Sequence, residues 1–155
     1  YLSFKDWNWT LKVDFVGAQQ NEAFLVKCHS LANQVSGATI RFLGERTPQE
    51  LDEMWAYYDF LYLPTRGENF GHAIAESLNH GVPVVISDRT PWKNLSDKGV
   101  GWDIPLDAKN FEPVLLQCHR MEENEHKTMS ECAYNMALTL LNDPQRMQAS
   151  RVLFR

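Results

Sequence analysis

Short apolar segments alternate with helix-like segments along most of this chain, and no other feature restricts its fold as much. The apolar segments are bounded by short turns and occupy residues 11–17, 38–44, 59–65, 81–88 and 100–106. Apolar runs of this length between turns predict β-strands. Strands that alternate with helices are typical of βαβ units, in which helices cover both faces of a parallel sheet. The sequence therefore predicts one α/β domain with a Rossmann-like, doubly wound parallel sheet.

Helix signals between the apolar segments support this prediction. Residues 21–37 carry apolar side chains at helical spacing, and Gly37 is a typical helix stop. Thr47, Pro48 and Glu50 stand at the N-cap, first and third positions of a capping box, so they predict the start of the next helix. Further helices are predicted from about Gly71 to His80, from Asn110 onward, and from Asp143 and Pro144.

Composition and charge argue against several classes of partner. The 155 residues are 44% apolar and 23% charged, which is ordinary for a globular protein. The net charge of −5 argues against nucleic acid or an anionic membrane surface as the main partner. No apolar run is long enough to span a membrane, and no secretory leader is visible.

The sequence starts at Tyr1, in a segment typical of a helix end that runs into a strand, so we expect a fragment of a longer protein.

The three cysteines, Cys28, Cys118 and Cys132, stand far apart and form no CxxC or Cys/His ligand pattern. An odd number of scattered cysteines in helix-like segments is more typical of a reducing cytoplasm than of a disulfide framework. We therefore predict a cytoplasmic protein in which these cysteines are small core residues.

The most informative chemistry lies in residues 65–88, where a glycine-bearing loop enters a helix and a buried-type strand follows. The third and fourth predicted strands end at the two limits of this range. Parallel strands direct such ends to one edge of the sheet, where the ligands of open α/β sheets bind. Gly67 and Gly71 allow the loop backbone to approach a ligand closely. The amides of Phe70, Gly71 and His72 then lie in the first helical turn without intrahelical acceptors, which predicts a phosphate site.

Two glutamates flank this helix start. Glu68 precedes Gly71, and Glu76 lies in the second helical turn, roughly 7–8 Å from Gly71 along the axis at ~1.5 Å per residue. Carboxylates on either side of an anion site do not bind the anion themselves, but they accept hydrogen bonds from hydroxyl groups. A nucleotide sugar has this layout, with a ribose diol, a diphosphate and the sugar hydroxyls in succession. The pattern therefore predicts a nucleotide-sugar ligand.

Residues 64–88, PTRGENFGHAIAESLNHGVPVVISD, resemble the donor-binding signature of group 1 (family 4) retaining glycosyltransferases, which have the GT-B fold. The E-x7-E motif of that family falls on Glu68 and Glu76, and the expected Gly-x-Pro strand follows. The resemblance extends less sharply from residue 11 to the C-terminal helices. It implies that residues 1–155 are the C-terminal, nucleotide-sugar-binding domain of a two-domain enzyme, and that the first strand of this domain and the N-terminal acceptor domain are missing.

The resemblance also implies a reaction, the transfer of a hexosyl-type sugar from a nucleotide diphosphate sugar to an acceptor with retention at the anomeric carbon. It implies no metal and no cofactor, because the nucleotide sugar is a co-substrate. No residue has the pattern of a covalent nucleophile, so positioning and stabilisation of the diphosphate would supply the catalysis. We expect the isolated fragment to be inactive, and the resemblance allows peripheral membrane association of the full-length enzyme.

Residue roles follow from the family motif, position by position. Glu76 would bind the ribose hydroxyls, and Glu68 would be the catalytic residue that contacts the donor sugar near the reaction centre. The other donor-binding residues expected on the two loops are Arg66, Asn69, Phe70, Gly71, His72 and Thr90. The Arg and Lys with which the family binds the diphosphate would lie upstream of Tyr1, so Arg66 and Arg89 are the nearby cations that this chain offers.

Several of these residues also have a purely structural interpretation. Glu76 could be a solvated surface charge, and Arg66 could be an ion-pair partner within its loop. The ring of Trp92 could stack on a ligand or pack its loop onto the domain. His72 and His80 share a helical stripe with Glu76, but HExxH spacing is absent, so we favour His72 as a donor ligand and His80 as a structural residue.

Two other functions stay open, a GT-B epimerase that acts on a UDP-sugar and a non-catalytic nucleotide-binding module. A dinucleotide oxidoreductase is disfavoured, because residues 13–24 have one glycine where the G-x-G-x-x-G fingerprint needs three. An upstream glycine turn with Arg and Lys nearby would favour the transferase, and an unrelated upstream domain would favour the binding module.

Overall fold

The computed structural model describes residues 11–18, 21–35 and 37–141. They form two compact units, one that ends at Met54 and one that begins at Trp55. Each unit contains a parallel sheet and helices. The helix predicted from Asp143 lies outside the described residues.

The first unit begins with a βαβ segment. Strands β1 (Leu11–Val16) and β2 (Ala38–Gly44) pair in parallel, and helix α1 (Glu22–Ala32) connects them. The helix ends before the predicted stop at Gly37. The Gly37 carbonyl accepts a hydrogen bond from the amide of Leu11 at 3.1 Å, so this glycine already belongs to the strand pairing.

Helix α2 (Pro48–Met54) confirms the predicted capping box. The amide of Thr47 donates a hydrogen bond to the Glu50 carboxylate at 2.7 Å, and the Thr47 hydroxyl donates a second at 2.9 Å. In return, the Thr47 hydroxyl oxygen accepts a hydrogen bond from the amide of Glu50 at 3.2 Å. The bonds from the Thr47 amide and hydroxyl favour the charged carboxylate, so they hold the pKa of Glu50 below its ordinary value.

This network makes the stability of α2 depend on pH. A carboxyl group whose pKa is lowered by folding stabilises the folded state above its unfolded-state pKa, and this stabilisation is lost as the pH falls through the lowered pKa. We expect a carbon-13 NMR titration to give Glu50 a pKa below the ordinary glutamate value. Thr47→Val, which removes the hydroxyl but keeps the amide, should raise that pKa part of the way back. An unchanged Glu50 pKa in this variant would show that the hydroxyl makes no contribution.

The second unit contains the edge of the sheet at which a ligand was predicted. Its elements are a 3₁₀ turn (Trp55–Tyr57), β3 (Leu61–Leu63), α3 (His72–Asn79), β4 (Val84–Ser87), β5 (Gly101–Ile104), α4 (Ala108–Arg120) and α5 (Glu123–Leu141). The strands are all parallel and lie in the order β3-β4-β5. Parallel strands with connecting helices in both units confirm the predicted α/β, Rossmann-like class.

The C-terminal helical region begins earlier than predicted and is divided in two. The side chain of Asp107 accepts a hydrogen bond from the amide of Lys109, and this N-cap starts α4 before Asn110. Met121 has an extended backbone (φ −66°, ψ 129°) and separates α4 from α5. Among the helices in the described ranges, none is long and apolar enough to cross a membrane.

The hydrophobic core of the second unit fixes the position of α3. Every residue of β4 is buried. Ile74 and Leu78, one turn apart on α3, form one buried cluster with residues of α5 and β4, namely Ala133, Ala137, Val84 and Ile86. Burial of one large aliphatic side chain contributes about 1.5–3 kcal/mol. Since these contacts hold α3 on the sheet, its first turn is a stable platform at the end of the loop from β3.

The cysteines behave as small packing residues. Cys28, Cys118 and Cys132 are all free and half-buried. Burial raises the pKa of the Cys118 thiol to about 12, so this side chain stays un-ionised near neutral pH. These observations agree with the interpretation of Cys118 as a core residue.

Candidate functional site

The two predicted loops meet beyond the carboxyl ends of β3 and β4. The strands are adjacent and parallel, with Leu63 opposite Ile86, so residues 64–71 and 88–92 leave the sheet at the same edge. Hydrogen bonds join the two chain segments: Ser87 Oγ to the Thr65 carbonyl at 2.6 Å, the Glu68 amide to the Arg89 carbonyl at 3.1 Å, and the Trp92 indole N–H to the Phe70 carbonyl at 2.7 Å. The prediction that both loops share one edge is confirmed.

Gly71 shapes the start of α3. It is the buried N-cap residue, and its left-handed backbone (φ 79°, ψ 59°) is one that glycine adopts without strain. A Cβ atom at this position would lie 2.8 Å from Ile74 Cδ1 and 3.0 Å from Trp92 Nε1. The cap makes no side-chain hydrogen bond to the first helical turn. The cap residue therefore gives the first backbone amides of α3 no side-chain acceptor. Amides of this kind at a helix start can bind an anion.

Polar side chains around this helix start are exposed to solvent. Glu68, Asn69, His72 and Glu76 are all exposed. Phe70 is 44% exposed, and the centroid of its ring lies 4.9 Å from that of the His72 ring. Carboxylates therefore stand before and after the glycine turn along the chain, and both are open to a ligand from solution.

Positive charge at this edge comes from Arg66, Arg89 and Lys93. The two arginines are exposed, and Arg89 Nε lies 3.5 Å from Asp88 Oδ1. The Lys93 ammonium donates a hydrogen bond to the Asp88 carbonyl. An exposed ion pair such as Arg89–Asp88 contributes little free energy in water. Arg89 can therefore exchange its partner for an anionic ligand at small cost.

Trp92 packs the second loop onto the unit and does not present its ring to solvent. Only 9% of the residue is exposed, and its ring belongs to the same hydrophobic cluster as Ile74 and Leu95. Thr90 is also buried, and its hydroxyl accepts a hydrogen bond from the Trp92 amide at 3.2 Å and donates one to the Trp92 carbonyl at 3.4 Å. The packing interpretation of Trp92 is therefore correct. A donor contact by Thr90 stays a prediction, and its hydroxyl is already used within the loop.

His80 makes structural contacts at the other end of α3. Its Nδ1 atom lies 2.8 Å from the Glu76 carbonyl, and because a carbonyl oxygen only accepts, this nitrogen carries the proton. The ring of His80 stacks on that of Trp55, with the two ring centroids 5.8 Å apart.

In the part of the chain that the structure describes, no group of three or more His, Cys, Asp or Glu side chains could hold a metal ion.

A family model described as Glycosyl transferases group 1 matches residues 5–118, which include both loops of this site. The chain belongs to the group 1 glycosyltransferases. Membership confirms the resemblance carried by Glu68, Glu76 and the strand that follows them. No curated protein matches this glycosyltransferase chain significantly in sequence.

Solved structures share the fold of this group 1 chain at low sequence identity. Anabaena Alr3699/HepE in complex with UDP has a TM-score of 0.74 and 20% identity, over 92% of this chain and 40% of that one. The catalytic domain of the cholesterol-alpha-glucosyltransferase from Helicobacter pylori has a TM-score of 0.58 and 18% identity, over 83% of this chain and 98% of that one. The chain thus spans about two-fifths of the length of the Anabaena protein.

A third structure is the C-terminal domain of a group 1 family glycosyl transferase (LpcC) from Francisella tularensis. It has a TM-score of 0.53 and 12% identity, over 84% of this chain and 85% of that one. At these identities the likeness concerns the fold alone, and it confirms the predicted Rossmann-like α/β class of the GT-B type. The prediction that residues 1–155 form the C-terminal domain of a two-domain enzyme stays a prediction.

The contacts that hold the two loops together have no signal in the sequence. Ser87 is the buried last residue of β4, and nothing in its neighbourhood along the chain indicates a bond to Thr65. Trp92 is an aromatic residue in a polar loop, and the partner of its indole N–H is the carbonyl of Phe70 in the other loop. Each bond joins residues 22 positions apart, so patterns of adjacent residues contain no signal for it.

Proposed function

We propose that this chain is the nucleotide-sugar-binding part of a retaining glycosyltransferase, which transfers a sugar from a nucleotide diphosphate sugar to an acceptor. The proposal depends mainly on one observation. Glu68 and Glu76 flank the uncapped helix start at Gly71, on the shared edge of β3 and β4, in a chain of the group 1 family. The Anabaena structures, one with UDP and one with UDP and glucose, support a ligand of this class.

In this proposal the two carboxylates recognise hydroxyl groups at opposite ends of the donor. Glu76 accepts hydrogen bonds from the ribose diol, and Glu68 contacts the sugar near its anomeric carbon. Both side chains are exposed, so a ligand in solution can reach them. The remaining donor contacts are assigned to the backbone of Asn69, Phe70 and Gly71 and to the side chains of Arg66, His72 and Thr90.

Departure of the nucleotide diphosphate requires stabilisation of negative charge. Backbone amides at the start of α3 and the exposed guanidinium groups of Arg66 and Arg89 can supply it without a metal ion. Retention then results from the position of the acceptor on the face that the diphosphate leaves, with no covalent intermediate on the protein. We place the acceptor-binding domain outside these 155 residues, so we expect the chain alone to bind donor without transferring the sugar.

Nucleotide titration tests the donor site. We expect UDP, GDP or ADP to shift amide resonances of residues 65–76 in NMR spectra, with weak affinity because the arginines at this edge, Arg66 and Arg89, are exposed to solvent. Glu76→Ala should weaken the preferred nucleotide about tenfold or more, since hydrogen bonds to a charged group are worth about 1.5–3 kcal/mol and 1.4 kcal/mol is tenfold.

Glu131→Ala is the matched control for this titration. Glu131 is likewise an exposed glutamate on a helix, but it lies on α5, so its removal should leave nucleotide affinity unchanged. Absence of any shift in residues 65–76 at millimolar nucleotide would contradict the proposed donor site. Equal loss of affinity in the two glutamate variants would contradict the specific role of Glu76.

A further inference from the structure

The indole of Trp92 touches the loop that the proposed function assigns to the donor. Its N–H donates a hydrogen bond of 2.7 Å to the Phe70 carbonyl. It also lies against the next residue, because a Cβ atom on Gly71 would be only 3.0 Å from Nε1. One buried side chain from the second loop therefore contacts both residues of the Phe70–Gly71 peptide in the first loop.

This contact determines how the Phe70–Gly71 peptide is oriented. A peptide bond is planar and trans, so its C=O and N–H groups point in opposite directions. The Phe70 carbonyl points at an indole that is buried in the hydrophobic cluster. The amide of Gly71 therefore points away from that cluster, at the very turn where the first loop enters α3.

The indole is itself held in place from several directions. Its ring packs in the cluster, and the hydroxyl of Thr90 bonds both the amide and the carbonyl of Trp92. The chain after Trp92 is tied to β5, because the amides of Asn94 and Leu95 donate to the Asp103 carboxylate at 3.2 and 2.9 Å. A donor group fixed in this way orients its acceptor before any ligand arrives, which is the requirement for a preorganised site.

We propose that Trp92 is a positioning residue for donor binding, whose indole N–H orients the Phe70–Gly71 peptide so that the Gly71 amide faces the nucleotide diphosphate sugar. This inference rests on the proposed function. It assigns Trp92 a role in binding although its ring does not reach the ligand. Core packing alone would require an aromatic ring at this position, but it would not require the N–H group.

Trp92→Phe separates these two roles, because it keeps an aromatic ring and removes the N–H donor. We expect its affinity for UDP to fall about three- to tenfold, the effect of losing one hydrogen bond, while its circular dichroism spectrum stays native. Trp102→Phe is the matched control. Trp102 is a half-buried tryptophan of β5 whose ring lies 6.2 Å from Phe60, outside both loops, so its replacement should leave UDP affinity unchanged.

The indole proton provides a second measurement that core packing alone would not affect. In the nitrogen-15-labelled chain, the Trp92 indole signal is identified by nuclear Overhauser contacts to the side chain of Ile74, which lies in the same cluster. A ligand bound at the Gly71 amide polarises the peptide and strengthens the bond at the Phe70 carbonyl. The indole signal should therefore move downfield during UDP titration, with the same dissociation constant as the Gly71 amide signal.

The outcomes separate this inference from the proposed function. If the unmodified chain binds UDP and Trp92→Phe binds it equally well, the role of Trp92 is overturned and the proposed function stands. If the unmodified chain binds none of UDP, GDP and ADP, both are overturned. If Trp92→Phe does not fold, the UDP titration of the unmodified chain tests the role of Trp92. An indole shift that saturates with UDP supports the role, and an unchanged indole signal at saturation overturns it.

Discussion

Replacement of Gly101 by alanine should remove a large part of the stability of the second unit. Gly101 pairs with Val84 between β5 and β4, at a φ of +137° that residues with side chains rarely adopt. An added Cβ atom would lie 1.9 Å from the Val84 carbonyl oxygen, and the buried backbone of β4 has no room to move aside. Steric overlap and backbone strain each cost about 1–3 kcal/mol. We therefore expect a loss of about 3–5 kcal/mol, against a typical total of about 5–15 kcal/mol.

Urea denaturation followed by circular dichroism measures this loss, and two other glycines separate its causes. Gly99 also has a positive φ of +65°, but a Cβ there would meet its nearest atom, Cys132 Sγ, at 3.8 Å. Gly99→Ala should therefore cost only about 1–2 kcal/mol, the strain of a left-handed residue. Gly67 has no atom within 4 Å of such a Cβ, and Gly67→Ala should change stability by less than about 0.5 kcal/mol. Equal losses at Gly101 and Gly99 would show that the overlap with β4 is not the main cost.

Gly71→Ala should destabilise the second unit and weaken nucleotide binding together. Its Cβ would overlap Ile74 Cδ1 and press on Trp92 Nε1, the atom that holds the Phe70 carbonyl. The left-handed backbone adds strain for any residue with a side chain. We expect a stability loss of about 2–3 kcal/mol. Nucleotide affinity should fall more than tenfold, because displacement of the first turn of α3 moves several amides at once.

A double-mutant cycle identifies the contact responsible for the stability loss. Ile74→Val removes the Cδ1 atom that the new Cβ would overlap, at a cost of about 0.5–1.5 kcal/mol in a buried position. In combination, Gly71→Ala and Ile74→Val should be less destabilising than the sum of the single variants by at least about 0.5 kcal/mol. Strictly additive losses would mean that backbone strain and the contact with Trp92, and not the overlap with Ile74, set the cost at Gly71.

Much of the local structure was predictable, because the signals act over a few residues. The capping box of Thr47 and Glu50 joins positions three apart and formed as predicted. The helix that carries Glu76 was predicted for residues 71–80 and spans His72–Asn79, with Gly71 and His80 as its caps. The stop at Gly37 was misplaced, since the position of that glycine depends on its bond to Leu11 in the neighbouring strand.

The ambiguity at Trp92 could not be resolved from the chain alone. A tryptophan in a polar loop fits stacking on a ligand and packing on a core equally well, because both use the same apolar ring. The deciding facts are its burial with Ile74 and Leu95 and its bond to Phe70. Burial depends on how two loops and a helix assemble, which no spacing rule in the sequence describes.

For this glycosyltransferase chain, the amino-acid pattern was enough to place the strands, the uncapped helix start and the two glutamates, because each follows from residues close together along the chain. Tertiary packing was needed to show which atoms hold that helix start in position. Ser87 and Trp92 reach partners 22 residues away only because β3 and β4 lie side by side and their loops leave the same edge. Hydrogen bonds of this kind depend on distances of a few ångströms in space, and those distances exist only once the sheet has formed.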